Sequence, residues 1–178
     1  VRNLCNTLKV KLECVDFDTK KYAKDNKLSI EMAARQLRYE WFEKIRSDNN
    51  AEAIATGHHA DDNAETMLLN LIRGTGIKGL SGIPPINGKI IRPLLTCTRE
   101  EILKYLHDNS LTYITDSTNL QNDFSRNKIR NQVIPILKEI NPSVQHTFSK
   151  SIFRFRELNS FYEQCIEEKI ADVVYKSE

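Results

Sequence analysis

The ten-residue segment Gly57-His58-His59-Ala60-Asp61-Asp62-Asn63-Ala64-Glu65-Thr66 gathers two imidazoles and three carboxylates. If a helix begins near Ala60, Asp62 and Glu65 lie three apart on one face and Asp61 lies four before Glu65. Hard oxygen ligands placed this way suit Mg²⁺ beside phosphates, or hold a substrate ammonium. His58, just outside the helix, adds a ligand or a hydrogen bond. A dinuclear metallohydrolase would need a further His or Asp cluster, and the sequence contains none. The competing reading is structural: acids favourably placed at the positive end of a helix, plus a buried His.

The residues after the acids favour a site over an ordinary loop. All six glycines (Gly57, Gly74, Gly76, Gly79, Gly82, Gly88) fall between positions 57 and 88, and no Asp or Glu occurs from Thr66 through Arg99. Arg73, Lys78, Lys89, Arg92 and Arg99 lie in that stretch. Acids, then glycines, then bases suit a metal-bound or phosphorylated ligand. Gly74-Thr-Gly76-Ile-Lys-Gly79 satisfies GxGxxG, but it comes after a helical segment instead of joining a strand to the helix it opens, so it is not a dinucleotide fingerprint. A C-cap glycine and a flexible loop explain Gly74 equally well. Arg126-Asn127-Lys128-Ile129-Arg130 sets Arg126 and Arg130 one helical turn apart, suited to a phosphate or an RNA backbone, although a solvated helix face is the commoner meaning. Arg35 and Arg38 pose the same choice.

The elements that must position these residues read as an α/β alternation. The chain lacks an initiator Met and opens on helical spacing (Val1, Leu4, Cys5, Leu8), as though starting inside an element. Lys11 to Asp18 alternates polar and apolar residues like a half-buried strand. Ser29 is placed to cap a helix to about Asp48, with Ile30, Ala33, Ala34, Leu37, Trp41 and Ile45 on one stripe and Arg35 and Arg38 off it. Ala51 to Gly57 reads as a strand, Ala60 to Arg73 as a helix, and Lys89 to Leu95 as a strand closed at Pro93. Thr98 and Glu101 form a capping box. A polar loop, Thr115 to Asn127, leads to a helix that Pro135 bends. After Asn141-Pro142, residues 143–175 form one amphipathic pattern whose apolar face needs a partner. This order predicts a parallel-sheet domain over residues 1–140 and a helical extension over 141–178.

Composition bounds the rest. With 178 residues, 40% of them hydrophobic, the chain can bury a core. A net charge of +2, from 26 Lys+Arg against 24 Asp+Glu, rules out a uniformly basic nucleic-acid module or an acidic disordered tail. Cys5, Cys14, Cys97 and Cys165 are far apart with no CxxC and read as reduced, core-type cysteines. No apolar run suits a membrane span or a signal peptide, so the cytosol is the expected compartment.

Four segments in order, SIEMAARQLRYEWF (29–42), ATGHHADDNAETMLLNLIRGTGIKGLSGIPP (55–85), IIRPLL (90–95) and DSTNLQNDFSRNKIRNQVIPIL (116–137), resemble the tRNA(Ile)-lysidine synthetase family of the PP-loop ATP pyrophosphatase group. The resemblance implies an adenine nucleotide alpha hydrolase-like fold. It implies a ligase that uses ATP and Mg²⁺ to adenylate the wobble cytidine of a tRNA(Ile) with a CAU anticodon, after which free L-lysine displaces AMP. It implies that Asp61, Asp62 and Glu65 hold Mg²⁺ or the lysine ammonium, Asp61 and Asp62 being the metal candidates, with His58 in support. Arg35 and Arg38 would meet phosphate or the lysine carboxylate. Gly57 and the Arg73-Gly74-Thr75-Gly76 turn would lie near the nucleotide, and Arg126, Asn127 and Arg130 near the tRNA or lysine, with Asp116 and Asn119 ordering the loop before them. A homodimer is left open.

The SGGxDS loop of the family is not found in these residues, so the expectation is an N-terminally incomplete domain, inactive by itself, with its last helix linking to a truncated C-terminal region. A 2-thiocytidine tRNA synthetase shares a GHHxDD-type segment but needs paired cysteines. A non-catalytic tRNA-binding module is the remaining alternative.

Overall fold

Ser29 opens the longest helix of the N-terminal region as its position predicts. Its side chain accepts the Met32 N–H at 3.1 Å, starting α3 (Ile30–Asp48). The computed structural model describes residues 1–114 and 125–174, the side chains of 125 and 174 excepted. These residues fall into two units, Val1–Ile54 and Ala55–Glu178.

In the first unit, α1 (Arg2–Leu8) and α2 (Thr19–Asp25) precede α3. Asp18 caps α2 by accepting the Lys21 N–H at 3.0 Å. Alanines make the α2–α3 contact close: Ala23 and Ala33 are the buried residues of the two helices. Phe17 meets Trp41 edge-on at 6.5 Å. The half-buried strand expected over Lys11–Asp18 does not form, and most of that segment is exposed. A strand needs a neighbour for its N–H and C=O groups. Among the described residues β1 pairs with β3 and with no other strand, and the remaining regular elements of this unit are helices, so the segment finds no strand neighbour.

The second unit keeps the predicted alternation with shorter strands. β1 (Ile54–Ala55) leads to α4 (Ala60–Ile72), then α5 (Ile77–Leu80), β2 (Ile86–Asn87), β3 (Ile90–Ile91) and α6 (Arg99–Asp108). The sheet has the order β1-β3-β2, with the Thr56 N–H donating to Ile91 O at 3.0 Å. The pairing of β2 with β3 is antiparallel, Ile86 opposite Ile91, so this end of the sheet is a hairpin and not the parallel ladder expected. Two-residue loops favour hairpins, whereas a parallel neighbour requires a long crossover.

After the undescribed residues 115–124 come α7 (Ser125–Lys128), a π turn (Ile129–Val133), α8 (Ile134–Ile140) and α9 (Val144–Val174). The π turn is where Pro135 acts. Proline cannot donate the i→i−4 bond, and the chain widens one turn earlier. Leu68, Ile129 and Ile134 form the buried apolar cluster, with Val133, Leu137 and Phe148 packed against it. Each such Ile or Leu stabilises the fold by about 1.5–3 kcal/mol. The helix α9 rests on α4 and α5, with Lys78 of α5 donating to Glu163 Oε1 at 2.9 Å, while Phe161, Ile166, Ile170 and Val173 stay exposed. The four cysteines are unpaired, and none is buried, contrary to the core role expected of them.

A buried amide fixes the glycine loop. The Asn63 Oδ1 accepts the Ile83 N–H at 2.7 Å, and Gly82, at φ +67°, leaves that oxygen room that a Cβ would take. Replacing Asn63 with Ala orphans the Ile83 N–H. The expected loss is about 1–3 kcal/mol of stability, read from urea unfolding monitored by far-UV circular dichroism.

Candidate active site

The site begins at the start of α4. His59 is the extended N-cap residue, and its N–H donates to Asp62 Oδ2 at 3.0 Å. The Ala60 N–H donates to Cys97 O at 2.8 Å, which ties this helix start to the turn before α6. Asp61 then reaches across. Its Oδ2 accepts the Arg99 N–H at 2.7 Å, at the first residue of α6, and Gln145 of α9 donates to its Oδ1. One carboxylate therefore serves two helix N-termini, where its negative charge is favoured.

One turn further, Glu65 is 0% exposed. Arg130, on the π turn, donates from Nε to Glu65 Oε1 at 2.6 Å and from Nη2 to Oε2 at 3.0 Å. The same Nη2 lies 3.3 Å from Asp62 Oδ1. Arg126 places its Nε 3.6 Å from Glu65 Oε2 and donates from Nη2 to Thr66 Oγ1 at 2.9 Å. Burial pushes the Glu65 carboxyl up, and Arg130 and Arg126 pull it back only in part. For Asp61, burial pushes up, but the His59 imidazole and the Arg99 N–H outweigh it and its pKa is lowered.

A cavity of about 370 Å³ opens beside these groups. His59, Asp61, Glu65, Arg99, Glu100, Arg130 and Lys138 contribute its charged and titratable lining. Carboxylates and cations around one space can hold a ligand that carries both an ammonium and an anionic group.

Among the residues singled out from the sequence, Asp61, Asp62, Glu65, Arg126 and Arg130 come together: Arg130 is half-buried against the acids, while Arg126 stays exposed and reaches Glu65 from the surface. Asp62 is 16% exposed at its side chain, so the helix start is not the open position its place in the sequence suggests. His58 pairs with Thr56 Oγ1 at 3.0 Å and does not line the cavity. Arg35 and Arg38 belong to the first unit, where Arg35 sits 5.0 Å over the Tyr39 ring. Asn127 is half-buried on α7. Asp116 and Asn119 lie outside the described residues. Gly57, Gly74 and Gly76 have open space beside Cα, and Arg73 caps α4 with Gly74 at φ +74° beyond it. Among the described residues no group of three or more His, Cys, Asp or Glu side chains is arranged to hold a metal.

His59, Gln145 and Lys138 were not singled out. The N-cap position could have found His59. Nothing in the sequence pairs position 145 with position 61.

The His59 Nδ1 is 3.5 Å from Asp61 Oδ2, an ion-pair distance without hydrogen-bond alignment. Asp61 raises the imidazole pKa, burial lowers it, and the Asp62 charge raises it further, so the net shift is up. A raised folded-state pKa stabilises fully below the unfolded value of about 6.5 and the gain disappears as pH rises through the folded value. The wild-type advantage over His59→Asn in urea midpoint should therefore be largest below about pH 6 and shrink as pH rises through the raised folded-state value. A pH-independent gap would remove His59 from this pair.

Breaking the buried ion pair from one side should cost about 3–5 kcal/mol, whereas Glu65→Leu with Arg130→Met together should lose less than the sum of the single changes. Chemical unfolding of the three variants measures the coupling.

A PP-loop domain model matches residues 1–137. Curated relatives include the tRNA(Ile)-lysidine synthases of Bacteroides thetaiotaomicron (49% identical over 168 residues, 94% of this chain and 39% of that protein) and Porphyromonas gingivalis strain W83 (50% over 169 residues, 94% and 37%). The Bacillus subtilis strain 168 protein of that name is 38% identical over 178 residues, 98% of this chain and 38% of that one. The chain spans roughly two fifths of the length of these relatives. Among solved structures, the U34-tRNA thiolase NcsA from Methanococcus maripaludis, with its 4Fe-4S cluster, superposes with a TM-score of 0.63 at 20% identity, covering 88% of this chain and 54% of that one. That likeness concerns the fold and bears out the expected class.

Proposed function

This chain belongs to the PP-loop domain family, and from that premise we propose that it is part of an ATP-dependent carbon–nitrogen ligase acting on the wobble cytidine of a tRNA(Ile) with a CAU anticodon. The relatives named tRNA(Ile)-lysidine synthase supply the substrate and the reaction. The observation that carries the reading is the cavity where Asp61 and Glu65 face Arg99, Arg130 and Lys138. Free lysine has an ammonium for the acids and a carboxylate for the cations. ATP has phosphates for the same cations.

In this reading the C2 carbonyl oxygen of cytidine attacks the α-phosphate of ATP and pyrophosphate leaves. The lysine amine then attacks C2, AMP leaves with the oxygen, and the amine proton passes to a base or to water. Glu65 and Asp61 hold the ammonium end, while Asp62 keeps Arg130 in place through the 3.3 Å contact. His58 supports the strand end through Thr56. Arg35 and Arg38 meet phosphate or the lysine carboxylate, Arg126 and Asn127 face tRNA or lysine, and Gly57 with the Arg73-Gly74-Thr75-Gly76 turn lies close to the nucleotide, glycine permitting close approach of the protein backbone. Asp116 and Asn119 order the loop before Arg126. Residues 1–140 make the PP-loop part in this assignment, and the helix from 141 leads toward a C-terminal region. A cytoplasmic place of action goes with the tRNA substrate, and no described helix is long and apolar enough to cross a membrane.

Mg²⁺ fits these residues in one way. Asp61 and Asp62 each already accept N–H donors, and although His59 lies 3.5 Å from both carboxylates, no group of three or more His, Cys, Asp or Glu side chains among the described residues is arranged to hold a metal. One or two carboxylates together with phosphate oxygens remain, the set Mg²⁺ commonly takes. Bound so, the ion would offset charge on the departing pyrophosphate.

The test is lysine incorporation into tRNA(Ile) by the full-length protein. Asp62→Asn should lower the rate at least about 10²-fold with a near-native melting curve. Retained activity places the chemistry elsewhere, and an unfolded variant is replaced by Asp61→Asn in the same assay.

A further inference from the structure

On the other side of the Asp61 helix start lies a second, larger cavity of about 680 Å³, between the segment after β3, the start of α6 and the first turns of α9. Arg92 lines it and is only 7% exposed. Its Nη1 donates to Pro84 O at 2.6 Å, but its Nε is buried without a partner. A buried guanidinium N–H without an acceptor costs free energy that an anion would recover.

The walls carry more cations. Lys150 and Arg154 sit one turn apart on α9, about 6 Å along the helix axis, and both line the cavity, as does Arg156. Arg156 is already committed, donating to Ser81 O and Ile83 O, so it adds charge more than free donors. The sole acid among the described lining residues, Glu101, is spent on the Thr98 N–H and hydroxyl at 2.7 and 2.9 Å. The cavity therefore sets four cations, Arg92, Lys150, Arg154 and Arg156, against one carboxylate, in a chain whose overall charge is close to balanced.

An aromatic ring decides between a small anion and a polymer. Phe153, 58% exposed, lies between Lys150 and Arg154 in sequence and lines the same cavity. A small anion has no use for an exposed ring, whereas single-stranded nucleic acid uses cations to track its backbone and aromatic faces to stack its bases.

We propose that this cavity is an RNA-contacting cleft separate from the Asp61–Glu65 cavity, in which Arg92, Lys150 and Arg154 take backbone phosphates and Phe153 stacks on an unpaired base. The cleft rests on the proposed function only for the identity of the polyanion, a tRNA loop.

Binding of fluorescently labelled tRNA(Ile) anticodon stem-loop to the chain, measured by anisotropy across a salt series, tests it. The double variant Lys150→Glu, Arg154→Glu, at exposed positions, should bind at least about tenfold more weakly. Its log-affinity slope against log salt should be shallower by about 1–2, one to two phosphate contacts fewer. Phe153→Ala should weaken the stem-loop several-fold but leave a fully paired duplex of equal length unchanged. Native affinity and slope in the charge-reversed variant overturn the cleft while the tRNA reading stands. If the unaltered chain and the full-length protein both bind no RNA, the tRNA reading falls with it. Arg92-dependent protection from unfolding by inorganic phosphate, with unaltered RNA binding by the double variant, reduces the site to a small-anion pocket and overturns the proposal.

Discussion

A carboxylate with no solvent exposure has to be met by charge and hydrogen bonds, and Glu65 is met by Arg130 through both of its oxygens. The penalty for burying the acid exceeds what its cations return, which is why its pKa is still raised. The apolar cluster of Leu68, Ile129 and Ile134 is formed by other residues of the same helices, so the acid at position 65 serves the pair with Arg130. A buried pair that adds little net stability is suited to specificity of position. Here it fixes the π turn against α4. Ile129 supplies the apolar half of that contact and Arg130, its neighbour, the polar half.

The same pair leaves the site poised for exchange of partners. Arg130 divides its donors between Glu65 and Asp62, and a ligand ammonium entering the cavity could take over an acid from it. Asp61 is held differently, by the Arg99 N–H and by Gln145, and its pKa is lowered, which favours the carboxylate. One acid is thus fixed by backbone and one by a movable side chain. Two such acids can do unlike work.

Much of this was legible in the sequence, and the limits have physical causes. Caps were readable because they are local: Ser29, Thr98 and Glu101 act on residues three positions away. The acidic helix start was readable for the same reason, and so was the break at Asn141-Pro142. The strand expected over Lys11–Asp18 failed because alternation states a preference for two faces, while a strand also needs a neighbour. His58 was preferred to His59 because neither residue type nor spacing tells which of two adjacent imidazoles turns toward the acids. That choice depends on the extended N-cap backbone at His59. Arg126 and Arg130 were legible as a pair one turn apart, but not what they meet. Their pairing with Glu65 spans about 60 positions or more and is invisible to periodicity.

The long helix α9 acts on both cavities from one element. Its first turn delivers Gln145 to Asp61, the next turns pack Phe148 and Ile152 against α4 and its neighbours, and the face around Lys150 and Arg154 lines the second cavity. A shift of its first turns along its own axis would therefore alter the acid site and the basic cleft together. The turns beyond about Asn159 are free of this constraint, and it is there that apolar residues such as Phe161 and Ile170 stand exposed. Physical coupling of this kind needs no dedicated pathway, since a single rigid helix carries contacts to both sites.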